Sequence, residues 1–223
     1  MGANLPFLIF GIFVLVAILA FVYSQYLEKK RTDSLSKLAE EMGLSYFPLD
    51  TGDLQSRMSL FELFNQGRSR QIKNLITGET DEVRISIFDY RFTTGSGKNQ
   101  STQKHTVAAL ESNKLNVPQF SLRPENFFDK VGSLLGFKDI NFDDHPVFSG
   151  MFVLKGPNQE AIKSFFDHSL LNFFTQRPTI LVEGNSRRLI YYRPGIRKPE
   201  EIQNLLSEAY QVFGAIVDRN PTK

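Results

Sequence analysis

Hydrophobic positions fall into two regimes along this chain. From Leu5 to Tyr23 the sequence reads LPFLIFGIFVLVAILAFVY, nineteen residues without a charge. A helix of that length spans about 28 Å, close to the ~30 Å hydrocarbon core of a bilayer. The run predicts a transmembrane helix, with Pro6 in its first turn, where a missing N–H costs little, and Tyr23 and Tyr26 at the interface. Beyond it the apolar residues become periodic. Residues 33–42 place Leu35, Leu38, Ala39 and Met42 on one face, with Asp33 or Ser34 as cap and Gly43 as stop. That spacing predicts a separate short amphipathic helix leaving the membrane. LSYFPL reads as extended, and MSLFELFN (58–65) as a helix through Leu60, Phe61 and Phe64 that ends at Gly67.

From Arg70 the period becomes two. RQIKNLIT and EVRISIFDYRF alternate, with Val83, Ile85 and Ile87 on one side, Arg84, Ser86 and Phe88 on the other, and TGETD as the turn. Strands at 105–112 and at VPQFSL (117–122) continue an antiparallel meander, and PENFFDKVGSLLG (124–136) reads as a helix. VFSGMFVLKG (147–156) reads as a strand, and 157–176 as one amphipathic helix burying Ile162, Phe165, Phe166, Leu170 and Phe173 or Phe174. TILVEGNSRRLIYYR reads as a hairpin, and a last helix starts at Pro199 with two glutamates behind it. The expected fold class is α+β: an N-terminal transmembrane helix, then an antiparallel sheet packed with three to four helices. Residues 1–31 form the anchor and its basic flank, and 32–223 the domain, whose loosest boundary is KDINFDDHP (138–146).

Composition refines this picture without redirecting it. With 41% hydrophobic and 22% charged residues the chain is not disordered as a whole, and a net charge of +2 gives no reason to expect nucleic acid. The absence of cysteine excludes a lipoprotein anchor and a thiol nucleophile, and fits a reducing compartment. Met1 to Asn4 carries no Lys or Arg, and no small-residue cleavage site follows the apolar run, so an uncleaved anchor is expected rather than a signal peptide. Pro6 also breaks the myristoylation pattern. Lys29, Lys30 and Arg31 follow the span with nothing comparable before it, which by the positive-inside rule puts the domain in the cytoplasm and the N-terminus outside.

Four groups of residues invite a chemical reading. TTGSGKN (93–99) looks like a phosphate loop, but Phe92 stands where the first glycine belongs and Asn99 where Ser or Thr is required. The segment also links two strands instead of feeding a helix. Gly95, Ser96, Gly97 and Lys98 are therefore expected to form a mobile polar hairpin loop and a contact surface. His105, His145 and His168 show no metal-ligand spacing, so neither metal nor cofactor is expected. Asp139, Asp143, Asp144 and His145 define the alternative of a membrane-tethered hydrolase. Arg187, Arg188, Arg193, Arg197 and Lys198, with Tyr191 and Tyr192 interleaved, fit contact with anionic headgroups or a partner, or a charged strand edge. The leading expectation is a membrane-anchored binding or scaffold domain that contacts a protein partner or another membrane component.

The Asn-x-x-x-Gly before a strand ending FDYRF, then GSGK, then FSLRPE, resembles a widespread set of bacterial proteins with one N-terminal membrane helix and a soluble α+β domain. The likeness covers about residues 35 to 215. It implies bacterial origin and this architecture, and supplies no catalytic residue, because that uncharacterised set has no established activity. Together with the span and its basic flank, the expected location is the bacterial inner membrane.

Overall fold

A computed structural model describes residues 5–127 and 136–218. Helix α1 runs without interruption from Leu5 to Glu41, about 55 Å at 1.5 Å per residue. The separate helix expected from Asp33 is its last two turns, because no Gly or Pro interrupts the chain between Gly11 and Gly43. Gly43 then stops it at φ 68°, with Leu44 N–H donating to Ala39 (2.8 Å) and Gly43 N–H to Glu40 (3.0 Å), the paired bonds of a Schellman ending. From Ile9 onward none of its apolar stretch is buried within the protein, and by length and composition it is able to cross a membrane. Leu35 and Ala39, by contrast, are buried in the domain.

Among the described residues eight strands form one sheet: β1 (Ser45–Leu49), β2 (Arg68–Glu79), β3 (Arg84–Thr94), β4 (Ser101–Glu111), β5 (Val117–Pro124), β6 (Phe152–Lys155), β7 (Leu181–Ser186) and β8 (Arg188–Pro194). Their order is β1-β2-β3-β4-β8-β7-β5-β6, and every strand pairing is antiparallel. The α+β class is as expected. Both faces of the sheet are covered. On one, Ile85, Ile87, Ala108 and Leu110 meet α1 and the helices α3 (Pro146–Met151), α4 (Gln159–Phe165), α5 (His168–Thr175) and α6 (Ile202–Val217). On the other, Phe88, Tyr90, Phe92 and Val107 meet α2 (Asp53–Arg57) and the turns after it.

Three local readings are corrected. Residues 58–65 are turns closing in a 3-10 turn at Leu63–Asn65, and the helix lies earlier, at α2, where Asp50 accepts from Leu54 N–H (3.3 Å) and Gln55 N–H (3.1 Å). Met58, Phe61 and Phe64 are buried at a spacing of three, which suits the tighter helix, while Leu60 is 54% exposed. Residues 147–151 are helical and only 152–155 form a strand, because Pro146 sits in a first turn and Phe148 stacks on Phe152 one turn later, leaving Val147 exposed. The helix expected over 157–176 is two, divided where Asp167 accepts from Leu170 N–H (2.9 Å) and caps α5. The helix expected at 124–136 lies mostly outside the described residues, although Pro124 ends β5 and opens no helix. Segment 138–146 is tied to its surroundings: Ile140 N–H donates to Leu154 (2.8 Å), and Ile140 and Phe142 are buried.

Candidate functional site

The site that stands out lies where α1 meets the sheet. Asn74 sits in a bulge of β2 at φ 52°, a left-handed conformation that asparagine tolerates better than most residues. Its Oδ1 accepts from Thr32 Oγ1 (3.1 Å) and from the Tyr46 hydroxyl (2.7 Å), and its Nδ2 donates to Asp89 Oδ2 (2.9 Å). Burial raises the Tyr46 hydroxyl above its ordinary pKa. Asp89, on β3, takes a two-pronged contact from Arg31, Nε to Oδ2 and Nη2 to Oδ1, each 2.7 Å, and a third donor from Thr106 Oγ1 (2.9 Å). Arg31 Nη1 also donates to the Arg197 carbonyl at 2.7 Å. One residue of α1 is thereby joined to β3 and, through Arg197, to the segment after β8.

Above this network opens a cavity of about 480 Å³, within the range of small-ligand pockets. Leu27, Pro48, Leu49 and Ile196 give it apolar walls, and Lys73, Arg91 and Lys104 make its rim basic. Lys73 is paired with Glu28 at 3.2 Å, while Arg91 and Lys104, register partners on β3 and β4, have no ion-pair partner among the described residues. Its depth relative to a bilayer follows from α1. Ser24, at the mouth, directly follows the apolar run, and Arg31 lies about 12 Å along the axis beyond Tyr23. The polar layer of one leaflet is roughly 5–8 Å deep, so with α1 spanning a bilayer the mouth would fall at headgroup level and the floor just beneath.

The structure does not bring the basic segment of 187–198 together. Because β3 packs Ile85 and Ile87 with Leu35 and Ala39 and then meets Arg31 at Asp89, it rises towards the apolar run as α1 descends from it. Glu111 and Arg188, in register on β4 and β8, mark the far end. There Arg188 Nε contacts Glu111 at 3.1 Å and Arg187 Nη1 contacts Asn113 at 2.9 Å. Tyr191 and Tyr192 are buried on opposite faces of β8, and Arg193 pairs with Glu208 at 2.9 Å. Arg197 and Lys198 alone of the set stand at the anchor end, flanking a second, shallower hollow with Lys30. Gly95, Ser96, Gly97 and Lys98 form the exposed tip of the β3–β4 hairpin, also on the anchor side. The loop expected to be mobile is braced: Arg68 donates to the Gly95 carbonyl (2.6 Å) and to Gln100 Oε1 (3.1 Å).

Tyr90 also lines the cavity, and burial raises its hydroxyl well above the ordinary value; the other strongly perturbed acids and bases lie elsewhere. Glu183, on β7, is buried, and desolvation followed by the nearby Glu62 charge pushes its carboxyl up to about 8. It accepts from the backbone N–H groups of Glu62 and Leu63 and from the Tyr192 hydroxyl. Those three donors oppose the rise without cancelling it. His105, between Phe92 and Tyr192, is pushed down to about 4 by burial and stays neutral. The hollow beside Glu183 has about 10 Å³, too little for a substrate. Of the acidic group proposed for hydrolysis, Asp139 Oδ1 accepts from Leu154 N–H (2.9 Å), whereas Asp144 and His145 approach His168. Nothing in the spacing of 144, 145 and 168 betrays that approach.

No protein-family model matches the chain, and no curated protein matches it in sequence. Among solved structures it is similar to the mycobacterial trehalose monomycolate transport factor A, TtfA, with a TM-score of 0.59 and 14% identity over 82% of this chain and 93% of that one. The likeness is one of fold.

Proposed function

We propose that this protein is a single-pass, membrane-anchored binding module, its domain on the cytoplasmic side of a bacterial inner membrane, whose ligand is the headgroup end of an anionic membrane amphiphile. The observation that carries the reading is the cavity between α1 and the sheet, apolar in its walls and basic at its rim, which an α1 spanning the bilayer would hold at headgroup level. An enzyme expects perturbed acids or bases converging in a cleft. Here Glu183 and His105 sit in packed core, away from the cavity. The fold shared with a transport factor supports a role in handling membrane components and carries no cargo across.

The test is native mass spectrometry of the full-length protein extracted from vesicles of phosphatidylglycerol and phosphatidylethanolamine. The wild type is expected to retain phosphatidylglycerol. Arg91→Ala/Lys104→Ala should weaken retention by roughly 30-fold, taking about 1 kcal/mol per basic residue. Equal retention by both proteins would sink the proposal. The protein-partner reading is favoured by a different feature, the open outer edge of β1, where Phe47 and Leu49 are about half exposed. A photo-crosslinker at Phe47 that captures no protein in cells would remove it.

A further inference from the structure

The second place where side chains converge without a structural reason is on the helical face, at the start of α3 and α5. His145 immediately precedes α3, and its side chain caps nothing. His168 is the first residue of α5, whose cap is Asp167, so that imidazole too is not needed to finish a helix. The two rings face each other, His145 Nε2 against His168 Nδ1, with centroids 4.5 Å apart and planes inclined at 52°. Asp144 brings Oδ2 to 3.7 Å from His168 Nε2, and one ligand atom from each of the three residues lies within 4.8 Å of the others.

We propose that Asp144, His145 and His168 form a binding site for a divalent transition cation of the Zn²⁺ type, joining the start of α3 to the start of α5. Two imidazoles and one carboxylate are the donor set of a borderline cation. Mg²⁺ and Ca²⁺ require oxygen ligands, of which only Asp144 offers any here. Tetrahedral Zn²⁺ with bonds near 2.0–2.1 Å holds its ligand atoms about 3.3 Å apart. Asp144 and His168 are both exposed, so their side chains are free to rotate, Asp144 inwards and the His168 ring away from His145, towards that spacing. The backbone beneath is fixed, because Phe148 of α3 contacts Phe166, which stacks on Phe174 of α5. Three protein ligands leave a fourth position facing solvent, filled by water or by a donor from a bound partner. The cation clamps two helices together, and its binding does not depend on the amphiphile cavity.

Full-length protein in detergent, with any affinity tag removed and metals stripped by chelation, is titrated with Zn²⁺ against a chromophoric chelator. The absorption of a Co²⁺ derivative reports coordination geometry. The expected result is one equivalent bound, with the visible band of tetrahedral Co²⁺. His168→Ala and His145→Ala should each weaken binding at least about tenfold, since even partners one shell further out are worth that much. Asp143→Ala, a neighbouring exposed carboxylate outside the group, should leave binding unchanged. The altered side chains support no core packing and no cap, so the variants should fold, which their circular dichroism confirms. Failure of the wild type to compete with the chelator, or stoichiometric binding that survives His145→Ala/His168→Ala, would overturn the proposal.

Discussion

Removing Asp89 tests whether the anchor is clamped to the sheet or merely tethered to it. The Asp89 side chain is 12% exposed and that of Arg31 19%. Asp89→Ala deletes an acceptor of four hydrogen bonds, two from Arg31 and one each from Asn74 and Thr106. Stripping one partner from a fully buried ion pair costs about 3–5 kcal/mol, mainly through the charge left behind. Residual exposure of Arg31 lowers that to roughly 2–4 kcal/mol. Arg31→Met keeps most of the aliphatic stem and strands Asp89 with only its two neutral donors. In Arg31→Met/Asp89→Ala neither charge is stranded, so the double variant should be more stable than the sum of the single losses implies, by about 1–2 kcal/mol. The assay is urea unfolding of the full-length protein in nanodiscs, supported by thermal melts in which 3 kcal/mol corresponds to a fall of roughly 6–12 °C. A loss below about 0.5 kcal/mol for Asp89→Ala, or strictly additive single losses, would show that water screens this pair as it does surface pairs.

Two further outcomes follow from neighbouring residues of β7, which face opposite sides of the sheet. Glu183 has its carboxyl raised from 4.5 to about 8. Its protonated form is therefore the one folding prefers, and its stability contribution is complete below pH 4.5 and lost as pH rises through 8. Denaturant unfolding across that window should lose several kcal/mol in the wild type, on the order of 5 at the limit, and lose much less in Glu183→Gln. Equal slopes in the two proteins would mean that the three donors to Glu183 outweigh its burial. At Gly184 an added Cβ would collide with the Phe120 ring, so Gly184→Ala should cost about 1–3 kcal/mol, and Phe120→Leu in the same chain should recover part of it. No recovery would place the cost in the strand backbone.

Sequence pattern was most informative where a long element keeps a single pattern throughout. The alternation through Val83, Ile85 and Ile87 located β3, and the nineteen uncharged residues located the anchor. It misled where short elements meet. The spacing of Phe148 and Phe152 is one helical turn, yet Val147 and Met151 fill the alternate positions and imitate a strand. Asp167 is a helix cap hidden inside an apolar run that reads as one helix. The cavity was not legible at all, because its parts are contributed by α1, β1, β2, β3, β4 and residue Ile196, and no local motif connects them. Asn74 was the nearest clue, visible as the first residue of the Asn-x-x-x-Gly string, but its left-handed bulge and three bonds exist only once β2 has paired with β3.

Arg31 links the two descriptions of this protein. As one of three cations beyond the span it contributes to the orientation argument, since translocation is decided by the chain before it folds. In the folded domain its charge is held by Asp89, so Lys29 and Lys30 remain as the cations closest to the apolar run without that contact. An anchor joined through a flexible linker would let the domain sample many heights and tilts over the bilayer. Here α1 has no break before Gly43, and its exit is locked by Arg31 and Thr32 to two adjacent strands. With α1 spanning a bilayer, as proposed, the height of the cavity would consequently be set by the length of the apolar run. Inserting two residues between Tyr23 and Ser24 would lower its mouth by about 3 Å and rotate it by about 200°, facing the basic rim away from its place on the helix axis. A helix built to tolerate such a change would not need the clamp that this one has.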